Sequence, residues 1–65
     1  MKFALAIYAK RSTKKESQIQ IKAAYTTRAV SEAEAVGIGI ALAKKEWPQK
    51  DGWEGHDCQI CEVPE

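Results

Sequence analysis

The segment KFALAIYA at residues 2–9 sets the tightest limit on what this chain can fold into. Phe3, Leu5, Ile7 and Ala9 fall on one side of a two-residue period, and Lys2, Ala4, Ala6 and Tyr8 on the other. That alternation is the signature of a β-strand. The second side is mostly small and apolar where a surface strand would be charged. Such a strand belongs in the middle of a sheet, with at least partial cover on both faces. The remaining segments must therefore supply two neighbours and a cover.

Residues 10–17, KRSTKKES, are polar and basic and read as a hairpin loop. Residues 18–28, QIQIKAAYTTR, alternate again, with Ile19, Ile21, Ala23 and Tyr25 expected on one face. Their β-branched and aromatic content suits a strand. Next comes AVSEAEAVGIGIALAKKEWP, where Ser31 and Glu34 have capping-box spacing and Val30 is placed for a staple contact. Glu32 and Glu34 suit the positive end of a helix dipole, and Lys44 and Lys45 the negative end. Pro48 stops the helix, which is expected over 32–47. The Asp51-Gly52 turn and Trp53 follow, Trp53 expected to pack on the core edge. Residues 56–63, HDCQICEV, are the last expected strand.

The expected fold is α+β, with β-β-α-β order and one helix on one face of a three-stranded sheet. A right-handed crossover places the third strand antiparallel to the first, giving spatial order 2-1-3. At 100° per residue, Ala33, Val36, Ile40, Ala43 and Trp47 form the expected core stripe of the helix. Ile38 and Leu42, with Ala35 beside them, form a second apolar stripe on the other side. Gly37 and Gly39 suggest close backbone approach. The sheet face away from the helix is expected to show Ala4, Ala6, Tyr8, Ala24, Cys61 and Val63. A surface that apolar invites a partner, and two-fold homodimers are the commonest oligomers. Ile38, Leu42, Ala35, Ala4, Ala6 and Tyr8 are therefore the candidate protein interface.

Sixty-five residues make one small domain, 1–65, with a marginal core. The composition, 45% hydrophobic and 29% charged, suits a folded chain. MKFALAIYAKR is too short in its apolar run for a signal peptide, no stretch suits a membrane span, and a cytoplasmic location is the simplest expectation. Net charge is +1 but divided: residues 1–28 carry +6 and residues 29–65 carry −5. Lys10, Arg11, Lys14, Lys15, Lys22 and Arg28 are accordingly a candidate polyanion-binding set.

The chain's one histidine and both cysteines lie in GHDCQIC. On a strand, His56 and Cys58 share a face and Cys61 takes the other. A redox Cys-x-x-Cys wants its first thiol at a helix N-terminus, and zinc wants four converging ligands. Neither fits a strand, so no metal, cofactor or catalytic residue is assigned. The GIG of residues 37–39 lies in a helix and is no dinucleotide fingerprint. The sequence thus points to a small non-catalytic protein-interaction module acting as a homodimer, an inhibitor or adaptor of bacterial or phage type. The edge at 18–26 is available for strand addition. The alternative is nucleic-acid binding through the basic β1–β2 hairpin.

Overall fold

A computed structural model describes residues 1–12 and 15–64, with Ala23 and Ala24 described through their backbone alone. The chain runs β1 (Lys2–Ser12), β2 (Ser17–Arg28), α1 (Glu32–Glu46), a 3-10 turn (Gln49–Asp51) and β3 (Glu54–Val63). The sheet has the order β2-β1-β3, with β1 antiparallel to both neighbours. This is an α+β fold in which α1 packs across β1 and β3.

The strand at the N-terminus is central, as its two-sided apolar pattern requires. Phe3, Leu5, Ile7 and Ala9 are buried beneath the helix, and Ile7 is 0% exposed. Full burial of a side chain of that size contributes about 1.5–3 kcal/mol. Phe3, Ala29 and Ala35 form a core cluster, with Ile38 and Ile60 packed against it. Ala4, Ala6 and Tyr8 on the opposite face are half-buried.

The helix is rotated from the expected setting: of the expected stripe Ala43 is buried and Val36 and Ile40 are half-buried, but Ala33 is not covered. Its buried residues are Ala35, Gly39 and Ala43, while Ala33 is exposed. Val36 and Ile40 flank this line on one side, Ile38 and Leu42 on the other, and all four are half-buried. The two apolar stripes are thus the margins of one broad face whose centre is small. The physical reason is close approach. A Cβ on Gly39 would lie 2.5 Å from Cys58 Sγ and 2.9 Å from Cys58 Cβ. Only glycine lets the helix settle that low on β3. Ser31 caps the helix, its Oγ accepting from the Glu34 amide at 3.2 Å. Val30 makes no staple contact of consequence, being 81% exposed.

A bulge in β2 changes which residues share a face. Leu5 pairs with Tyr25 but Ile7 pairs with Lys22, so Ala23 and Ala24 together stand opposite Ala6. The extra residue reverses the alternation along the strand. Ile19 and Ile21, opposite Lys10 and Tyr8, therefore lie on the outer face, and Tyr25 lies on the helix side with Leu5. The single face expected for Ile19, Ile21, Ala23 and Tyr25 is split. β3 has a second irregularity: Tyr8 pairs with Asp57 and Lys10 with Glu54, with Gly55 at φ 48 between them.

The β1–β2 ladder extends further than the polar sequence suggests, pairing Arg11 with Gln18 and Ser12 with Ser17. Arg11 holds this extension. Its guanidinium lies 4.5 Å from the centre of the Trp53 ring, and its Nε donates to Gln18 Oε1 at 3.0 Å. Trp53 is buried and packs at 6.4 Å from Trp47. Gly52, at φ 88, turns the chain beneath the Arg11 stem.

The contact at Gly39 can be tested against its neighbour. Replacing Gly39 with Ala is expected to destabilise the fold by about 1–3 kcal/mol through overpacking, despite alanine's advantage in a helix. At Gly37 an added Cβ meets nothing within 4 Å, so Gly37→Ala is expected to stabilise by up to about 1 kcal/mol. Urea denaturation of the two variants reads the difference in sign.

Candidate functional site

The face of the sheet away from α1 is the candidate site. On β1 it presents Ala4, Ala6, Tyr8 and Lys10. The pairing register adds Ile21 and Ile19 from β2, and Cys61, Gln59 and Asp57 from β3. The chain's large exposed hydrophobics include Ile19 at 56% and Ile21 at 67%, both on this face. Ala6, Tyr8, Lys10, Ile19, Ile21 and Gln59 line a shallow depression of about 250 Å³.

On this face the strongest apolar exposure therefore sits at one corner, where β1 meets β2. Lys10 Nζ lies 6.0 Å from the centre of the Tyr8 ring, and Tyr8 stands opposite Asp57 across the β1–β3 ladder. Partial burial, and then the Asp57 carboxylate, push the Tyr8 phenol above its ordinary pKa. Tyr8 is accordingly a neutral, amphipathic ring at neutral pH.

The structure separates the six residues of the expected protein interface. Ala4, Ala6 and Tyr8 lie together on the outer sheet face. Ala35 is 0% exposed within the chain's own core and has no surface to offer a partner. Ile38 packs on the core cluster beside it, and Leu42 is half-buried on the same margin. The helical stripe is thus occupied by the sheet. Sequence periodicity missed Ile19 and Ile21 as surface residues because only the bulge places them there.

The basic residues do not converge either. Arg11 is held by Trp53, Gln18 and the Asp51 carbonyl. Lys22 Nζ donates to Glu46 Oε1 at 3.0 Å on the helix side, and Glu46 raises the Lys22 pKa, first through that hydrogen bond. Lys10 is on the outer face, while Arg28 pairs with Lys2 at the far end of β1. Eight residues separate Lys2 from Lys10, about 27 Å of strand. Lys15 is exposed, and Lys14 lies outside the described residues.

His56, Cys58 and Cys61 are dispersed in the manner strand alternation implies. Cys58 faces α1, opposite Ile7, and Cys61 faces outward, opposite Ala4. Cys58 Sγ points to the Val36 carbonyl at 3.6 Å, and His56 Nε2 is hydrogen-bonded to the Trp47 carbonyl. An imidazole nitrogen facing a carbonyl is the N–H donor. Among the described residues, no three His, Cys, Asp or Glu side chains form a metal-binding group. No described helix is long and apolar enough to cross a membrane.

Comparison with known protein families, with curated proteins and with solved structures found no match in any of the three. The functional reading therefore rests on the chain's own surfaces.

The two thiols differ in a measurable way. Burial, followed by the nearby Asp57 carboxylate, pushes the Cys58 pKa up, while Cys61 is exposed. At pH 7 a thiol-exchange reagent is expected to label Cys61 at least about tenfold faster than Cys58, because thiolate content and access set the rate. Raising the pH should bring Cys58 into reaction, and denaturant should abolish the difference.

Proposed function

We propose that this chain is a non-catalytic protein-interaction module that acts as a homodimer, with the Tyr8–Ile19–Ile21 corner of its outer sheet face at the contact. The observation that carries this reading is the exposure of Ile19 and Ile21 beside a half-buried Tyr8. Two adjacent isoleucines more than half exposed give water a contiguous apolar surface whose removal favours association.

The charges of the outer face do not oppose self-association. Lys2, Lys10 and Arg28 are interspersed there with Glu54 and Asp57, so apposing two copies brings no block of like charge together. A small homodimer of this kind suits an inhibitor or adaptor, which acts by occupying another protein's surface.

Polyanion binding by the basic hairpin has less support. It needs several cations free on one surface, whereas Arg11 and Lys22 are engaged within the chain and Arg28 stands at the opposite end of the sheet.

Native mass spectrometry and sedimentation of Ile21→Lys test the proposal. The expected result is a dimer for the parent chain and at least a tenfold weaker dimer for the variant, about 1.4 kcal/mol, with an unchanged circular dichroism spectrum. A parent dimer insensitive to Ile21→Lys would move the interface elsewhere. A second readout is titration with single-stranded DNA. Tight binding that weakens steeply with salt would favour the polyanion reading.

A further inference from the structure

We propose that two copies join along β2, antiparallel, about a two-fold axis through Gln20, to make one six-stranded sheet. This rests on the homodimer reading above and specifies its geometry. β2 is an edge strand, bonded to β1 on one side. An uncovered strand edge presents a row of backbone donors and acceptors ready to pair with another chain.

The two edges of the sheet are unlike. On β3 the Cys58 amide donates to its own neighbour's carboxylate, Asp57 Oδ1, at 2.8 Å. That edge also carries Glu54, Asp57 and Glu62, has Gly55 in the left-handed region, and lies under α1. Carboxylates and irregular backbone protect an edge from pairing. The stretch Gln18–Lys22 of β2 has no carboxylate and no irregular backbone, and its one charge, Lys22, is drawn to Glu46 of α1 at 3.0 Å. It pairs regularly with β1 and carries the two exposed isoleucines.

Self-complementarity selects the register. QIQIK, residues 18–22, is nearly palindromic about Gln20. In an antiparallel pair centred there, Gln20 meets the partner copy's Gln20, each Ile19 meets an Ile21, and each Gln18 meets a Lys22. The four isoleucines then form two neighbouring cross-strand pairs on the outer face, where apolar pairs stabilise a ladder. No lysine faces a lysine. A register centred on Ile19 would set Ile21, the more exposed of the two, against Ser17. One centred on Ile21 would run Ile19 into the bulge at Ala23 and Ala24. One centred on Lys22 would oppose like charges. The bulge also ends the new ladder on each side, which favours a closed dimer over a longer assembly. Because the axis is perpendicular to the sheet, both helices lie on one face. The two Tyr8–Ile19–Ile21 corners merge on the other.

Site-directed disulfide formation tests this register. In a Cys61→Ser background, Gln20→Cys, Gln18→Cys and Lys22→Cys are oxidised mildly and resolved without reductant. Directly paired residues of antiparallel strands have Cα separations of about 4.5–5.5 Å, within the range a disulfide spans. The proposal expects Gln20→Cys to cross-link several-fold more than either of the others, with unchanged circular dichroism in all three. If native mass spectrometry gives a dimer but residue 20 does not cross-link preferentially, the β2 register is wrong and the homodimer reading stands. If the parent chain is monomeric across the accessible concentration range and no variant cross-links, both fall.

Discussion

The architecture depends on the close seating of α1 over β3 at Gly39. There the helix backbone meets the Cys58 side chain with no room for a Cβ between them. Ile7 of β1 is sealed beneath the same contact. A chain of 65 residues has few large side chains to spend on a core. It gains packing density here by bringing backbone to side chain with small residues, Ala35, Gly39 and Ala43, along the line of closest approach. Val36 and Ile40 on one margin, and Ile38 and Leu42 on the other, then reach down around that line. The helix thereby uses nearly all of its apolar surface on its own sheet. On the other side of the sheet Ile19 and Ile21 stay exposed, and the candidate site follows from that division.

A second anchor holds the opposite end of the molecule. Arg11 lies over Trp53, Trp53 packs near Trp47, and Trp47 closes the helix with its amide on the Ala43 carbonyl. A guanidinium over an indole face adds electrostatic attraction to the packing. This cluster extends the pairing of β1 and β2, while the bulge turns Ile19 and Ile21 to the face away from α1. The same interaction engages the Arg11 guanidinium within the chain.

Strand order was legible from the sequence because KFALAIYA is apolar on both faces and only a central strand tolerates that. The helix was legible from Ser31, the acidic first turn, Lys44, Lys45 and Pro48. The side it turns inward was not. Periodicity weights large apolar residues, and it assigned the core to the stripe running through Val36 and Ile40. In the fold the smallest residues define the contact, because distance of approach outweighs side-chain size. The bulge at Ala23 and Ala24 left no sequence signal, since two alanines fit a regular strand as well as a kinked one. That single insertion decided that Ile19 and Ile21 face outward while Tyr25 faces in. Ala4, Ala6 and Tyr8 were legible as an outer surface. The isoleucines that give it its apolar weight were not.

In the proposed dimer the Gln18–Lys22 edge of β2 is an interface while the β3 edge is not. Amide hydrogen exchange as a function of protein concentration tests it most directly, because pairing protects edge amides and a change in concentration leaves the monomer's own hydrogen bonds unaltered. Protection within residues 18–22 is expected to rise with concentration while that within residues 54–63 stays constant. Equal exchange at both edges, unchanged from dilute to concentrated solution, would contradict it.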